Sequence, residues 1–161
     1  GEKEEHRIET LNLIKDLKLD WSVFSLATPW RGNELYDICI KNGYINKDLS
    51  IGEIDMDKYI IKTPNIDPEY MIKKRYLMNL DVNFVNNNRM KKHDFMTASK
   101  CFQNVIDGTK DHAFAYYYLA ECQTQLNIDR KIYDKNFDNF IEIIRKDKEW
   151  QYYAKYFHLI S

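Results

Sequence analysis

The sequence predicts a mainly α-helical fold, with a partial (β/α)-barrel segment at its start and a helical-repeat domain after it. Three observations carry this. Residues 1–45 alternate between helical and strand-like patterning, residues 46–72 are dense in turn formers, and from Glu69 onward the apolar positions keep a helical period. The 161 residues are 44% hydrophobic and 14% aromatic. That is enough apolar surface for a folded core, and length for one domain or for a partial domain joined to a small one.

The elements follow in order. From Glu4 to Lys18, Ile8, Leu11, Ile14 and Leu17 recur every third residue beside Leu13, and acidic residues crowd the start, where they suit the helix dipole. Trp21-Ser22-Val23-Phe24-Ser25-Leu26-Ala27 is β-branched and aromatic and meets Thr28-Pro29, which predicts a strand halted by a proline. Gly32-Asn33-Glu34 then opens a helix through Leu35, Tyr36, Ile38, Cys39 and Ile40, ending near Asn42-Gly43. Helix, strand, loop, helix is a slice of an α/β repeat, whose strands are parallel and buried.

One strand cannot close a barrel, which needs roughly 200 residues or more. The rest of the barrel is therefore expected before Gly1, and the opening Gly1-Glu2 reads as a cut from a longer chain. Residues 1–45 are expected to be poorly protected alone, with a strand that lacks partners on both sides.

Residues 46–72 read as a connector, with Asp48, Ser50, Gly52, Asp55, Asp57, Thr63-Pro64-Asn65 and Asp67-Pro68, and a short extended piece at Lys58-Tyr59-Ile60-Ile61. Residues 73–161 read as the helical domain. Its helices are expected over about 69–91, 94–107, 111–126, 131–146 and 148–158, with Asp94 and Asp111 as N-caps and Gly108 and Asn127 as stops. Ala98 with Phe102, and Leu119 with Ala120, fall at the close-approach positions of a tetratricopeptide (TPR-like) unit with its period of about 34 residues. His93 and Asn127 stand where such units usually place a glycine between paired helices. One and a half to two degenerate units fit.

Composition excludes some classes. A formal net charge of -1, without a basic stripe, argues against nucleic acid as a partner. No run approaches the ~20 apolar residues that span a bilayer, so no membrane partner is expected. Three widely spaced cysteines, Cys39, Cys101 and Cys122, fit reduced thiols and a cytoplasmic setting.

The loop from Ala27 to Tyr36 has the most specific pattern. A loop after a buried parallel strand sits at the ligand-binding face of α/β folds. Its proline stops the strand, its glycine allows an unusual turn, and the next helix offers free N–H groups. A plain strand stop and helix start is the alternative reading. His6, His93, His112 and His158 lack ligand spacing, and His112 beside Asp111 reads as a capping neighbour. Glu53, Asp55 and Asp57 lack the glycine and closing glutamate of a calcium loop. Tyr116-Tyr117-Tyr118, with Trp150, Tyr152, Tyr153, Tyr156 and Phe157, reads as interhelix packing whose exposed remainder could bind a partner.

The run Leu19 to Tyr36 resembles the late-barrel segment of radical S-adenosylmethionine (radical SAM) enzymes. The similarity is greatest to those with a cobalamin-binding domain, the relatives of the anaerobic magnesium-protoporphyrin ester cyclase. Thr28, Pro29, Gly32, Glu34, Leu35 and Tyr36 match that family's Thr-Pro-x-x-Gly-Thr-Glu-Leu-Tyr pattern, while Asn33 stands where threonine is usual and Trp30-Arg31 replaces an aromatic-proline pair. Gly1-Glu2 resembles the end of a Gly-x-Pro-Gly-Glu stretch. Asn79–Asn87 and Asp111–Ala120 resemble the helical tail of some members.

The resemblance implies S-adenosylmethionine, a [4Fe–4S] cluster on a CxxxCxxC motif and, in part of the family, cobalamin. No CxxxCxxC occurs here, and the three cysteines are 62 and 21 residues apart, so the cluster ligands would come from the part of the barrel before Gly1. Ser25, Ala27, Thr28 and Pro29 are the residues the resemblance brings to the cofactor. No catalytic residue and no metal ligand is assigned. The rest of its own barrel is the implied partner, with a protein partner on the helical tail as a further one. The other function class is a non-enzymatic TPR-like interaction module.

Overall fold

The computed structural model describes residues 3–48 and 58–161. The protein is mainly helical, with α1 (Glu4–Leu17), α2 (Glu34–Asn42), α3 (Pro68–Leu80), a single turn α4 (Asn88–Lys91), α5 (Phe95–Gly108), α6 (Ala113–Gln125), α7 (Arg130–Lys146) and α8 (Lys148–Tyr156). By contact the chain divides into two compact units, Gly1–Ser22 with Leu80–Ser161, and Val23–Asn79. The sequence spans 1–45, 46–72 and 73–161 follow composition, whereas these units follow packing.

In the larger unit α6 lies between α5 and α7, and α8 packs on α7. Position in the middle explains why α6 is buried on several sides, at Ala113, Phe114, Ala115, Tyr118, Leu119, Ala120 and Cys122. Its small residues permit close approach, and Ala98 and Phe102 of α5 are fully buried beside it. The caps are polar side chains. Asp94 accepts the Thr97 amide, Asp129 that of Lys131, and Asp147 those of Glu149 and Trp150. The helix expected to start at Asp111 is capped instead by His112, whose Nδ1 accepts the Ala115 amide at 3.2 Å. His93 and Asn127 both take positive φ, 59° and 54°, the conformation a glycine would adopt there.

The helix expected over 69–91 is interrupted. α3 passes directly into a wider π-turn, Asp81–Val85, and Asn87 restarts α4 by accepting the Arg89 and Met90 amides. α1 joins this unit through Lys15 Nζ, which donates to Asp81 Oδ2 at 2.7 Å. Phe84 of the π-turn is the centre of the core. Its ring meets Trp21 at 5.5 Å, Phe102 at 5.4 Å and His112 at 4.8 Å.

In the smaller unit, Cys39, Ile45 and Ile61 form a buried cluster covered by Leu35, Tyr36, Ile40, Tyr44 and Tyr59. The Lys62 amide donates to the Tyr44 carbonyl at 2.9 Å, holding the end of the 58–61 stretch against the chain after α2. Of the expected connector residues, Ser50, Gly52, Glu53, Asp55 and Asp57 lie outside the described residues.

The predicted strand Trp21–Ala27 is corrected in two respects. It pairs in no sheet, and the isolated bridge Thr63–Ile66 is the one β pairing among the described residues. It is also not buried on both faces. Exposure alternates residue by residue from Trp21 to Thr28, with Val23 75% exposed and the even-numbered residues half-buried. The period of two marks extended backbone with one side against the protein.

Candidate functional site

The loop after the extended stretch is built from strictly local rules. Thr28 is half-buried and Pro29 is fully buried, so the chain is anchored where the proline ends the extended run. The Trp30 amide donates to the Thr28 carbonyl at 3.0 Å and the Asn33 amide to the Trp30 carbonyl at 3.1 Å, which closes the turn. Gly32 sits at φ +91°, a conformation that a Cβ would strain even though open space surrounds it. Asn33 then caps α2, its side chain accepting the Tyr36 amide at 2.8 Å. Asparagine and threonine both cap helices in this way, so the residue that departs from the family pattern keeps the same local chemistry.

Ser25, Ala27, Thr28 and Pro29 therefore lie on one short stretch. Ser25 and Ala27 are exposed, and the Thr28 hydroxyl reaches back toward the Leu26 carbonyl at 3.5 Å. The exposed positions alternate with the half-buried ones, so Ser25 and Ala27 share a side of the chain.

The backbone before this stretch is held by two asparagines. Within the smaller unit, Asn79 Oδ1 accepts the Phe24 amide at 2.9 Å while Nδ2 donates to the Phe24 carbonyl at 3.2 Å. Within the larger unit, Asn83 treats Ser22 the same way, at 2.9 Å and 2.7 Å. The stretch was expected to lack neighbouring strands on both sides, and for Ser22 and Phe24 side-chain amides stand in the place of such a strand. Sequence reasoning singled out Asn79–Asn87 only as a block of resemblance. The available signal was the spacing of Asn79, Asn83 and Asn87 at every fourth residue of a helical pattern, which places three short amides in one row.

The cysteines do not form a cluster site. Cys39 of α2 belongs to the smaller unit and is buried. Cys101 of α5 is half-buried and Cys122 of α6 is buried, where desolvation pushes its thiol up to about 12. A thiol so poorly ionised is a weak ligand and nucleophile. Among the described residues no three histidine, cysteine, aspartate or glutamate side chains gather as a metal site, and no helix is long and apolar enough to cross a membrane.

His112 is a structural group. The Phe84 ring stacks on its imidazole with centroids 4.8 Å apart, the Trp150 ring meets it tilted at 4.8 Å, and burial drives its pKa down to about 4. The neutral ring is needed, since Nδ1 must stay unprotonated to accept the Ala115 amide. Of the three successive tyrosines, Tyr118 is buried and Tyr116 and Tyr117 are partly exposed, while Tyr152 and Tyr156 of α8 present half their surface to solvent.

No protein-family model, curated protein or solved structure matches this chain.

Proposed function

We propose that this chain is the C-terminal part of a radical SAM enzyme of the cobalamin-binding-domain type, and that residues 25–29 contribute to its S-adenosylmethionine pocket. The observation that carries the reading is the loop geometry. An extended run ends at a buried Pro29, turns at a glycine with φ +91°, and enters a helix capped at Asn33. That stop of an extended run, turn and helix start is what the matching residues Thr28, Pro29, Gly32, Glu34, Leu35 and Tyr36 would need. The thiols of this chain do not fit a cluster, so the [4Fe–4S] ligands, and any cobalamin domain, belong to the parent chain upstream. The segment by itself is inactive in radical chemistry. The buried thiols of Cys39 and Cys122, held protonated by desolvation, suit a cytoplasmic protein.

Helices α5 to α8 then form a degenerate TPR-like tail, supported by burial of Ala98, Phe102, Leu119 and Ala120 at the repeat's close-approach positions and by positive φ at His93 and Asn127. The second reading, an interaction module without enzymatic activity, draws on the exposed Tyr152 and Tyr156.

The parent reading frame separates the two. A CxxxCxxC motif is expected upstream, and the protein made from that frame, reconstituted anaerobically with iron and sulfide, should cleave S-adenosylmethionine to 5′-deoxyadenosine. A parent without the motif, or one that takes up no cluster, would leave the interaction module as the reading.

A further inference from the structure

We infer that Asn79 is a positioning residue for the stretch 25–29, fixing where Ser25 and Ala27 are presented; this role rests on the proposed reading of that stretch as part of a cofactor pocket. A carboxamide offers one acceptor oxygen and two donor hydrogens. In Asn79 all are committed. Oδ1 accepts from the Phe24 amide, and Nδ2 donates both to the Phe24 carbonyl and, at 3.2 Å, to the Arg75 carbonyl one turn back on its own helix. The last bond fixes the amide's rotamer, so the clamp is rigid before it meets the segment. Taking both main-chain groups of one residue is what a strand does at a hydrogen-bonded pair. Phe24 is thus held as if by a sheet, without a sheet.

The consequence lies in the next residues. Pro29 is fully buried and Phe24 is clamped, so only residues 25–28 run between two fixed points. Four residues of extended chain have little slack, and their alternation then turns Ser25 and Ala27 to the exposed side. An aspartate at position 79 could accept from the Phe24 amide but would set a carboxylate against the Phe24 carbonyl. Only its protonated form could make both bonds.

The test uses amide exchange, corrected for the intrinsic pH dependence, on the 161-residue chain. Asn79→Ala should speed exchange at the Phe24 amide by about tenfold or more, while amides in the core of α5 and α6 keep their protection. Asn79→Asp should exchange fast at alkaline pH and regain protection as pH falls and the carboxyl protonates, at a pH that the facing carbonyls raise above the ordinary aspartate value of about 4. Recovery of that kind cannot come from a general loss of packing, and it serves also if the alanine variant folds poorly. Unchanged Phe24 exchange in Asn79→Ala, or no recovery in Asn79→Asp, overturns the clamp. In the reconstituted parent, Asn79→Ala should weaken S-adenosylmethionine binding by about tenfold at unchanged iron content. Unchanged affinity there overturns the positioning role and leaves Asn79 as scaffold. A wild-type parent that binds no S-adenosylmethionine overturns the role and the proposed function together, with the exchange results standing apart from both.

Discussion

His112 shows how one side chain ties pH to stability. Its ring caps α6 through Nδ1 and is shielded by Phe84 and Trp150, so the folded state lowers its pKa from 6.5 to about 4. Burial is the main cause, opposed by the negative charge of neighbouring Asp111. A histidine with a depressed folded pKa binds its proton more readily when unfolded. Its contribution is therefore complete above pH 6.5 and is lost as pH falls from there toward 4, amounting to at most about 3 kcal/mol. Urea titrations from pH 7 to pH 4 should show the decline. His112→Asn keeps a capping oxygen without a titrating ring and should flatten that dependence, at the cost of some ring packing. A wild-type profile flat across this range would contradict the assignment of a neutral imidazole shielded by Phe84 and Trp150.

Among the elements, the π-turn after α3 has the greatest leverage. It places Phe84 against Trp21, Phe102, His112, Phe114 and Tyr118, rings that belong to the extended stretch, to α5, to the cap of α6 and to α6 itself. Phe84→Ala should cost about 3–5 kcal/mol, read as a lowered urea midpoint, because the rings around it cannot collapse without leaving their own helices. A loss below about 1 kcal/mol would mean the site repacks freely. The elements themselves were legible to different degrees. Helices α5 to α8 were read within a few residues, since their apolar period and the cap Asp94 are local signals, whereas the cap expected at Asp111 falls one residue on, at His112. The π-turn was not, because inserting one residue into a helical turn leaves the period almost intact and is stabilised by tertiary packing of Phe84. The strand was misread for a related reason. Its composition correctly announced extended backbone, but what satisfies that backbone, Asn79 and Asn83, lies some sixty residues away in sequence. In the loop, Pro29 and Gly32 were legible because each acts through its own φ, while the Asn33 cap, an equally local signal, was passed over.

For the molecule as a whole, contact and chain order disagree. α1 comes first in the sequence yet belongs with Leu80–Ser161, and Lys15 to Asp81 is the ion pair that records it. Native-state exchange should therefore show α1 amides opening together with α5 and α6, not with α2. Asp81→Ala removes the carboxylate that accepts from both Lys15 Nζ and the Asn86 side-chain Nδ2, and should release α1 selectively, by about 1–2 kcal/mol of local opening energy. If α1 exchanges at the same rate in wild type and variant, the tether contributes nothing measurable.

The ring packing around Phe84 and His112 has an optical consequence. Trp150 is half-buried beside that core and its ring meets the His112 imidazole at 4.8 Å, so its emission should respond both to loss of the core and to protonation of His112. Trp21, whose ring edge meets Phe84 but which is 39% exposed, and Trp30 of the other unit, 43% exposed, contribute a more solvent-like background that changes less on unfolding. A fluorescence melt of this protein is accordingly a record of one unit, and a spectroscopist would need a different chromophore to watch the other.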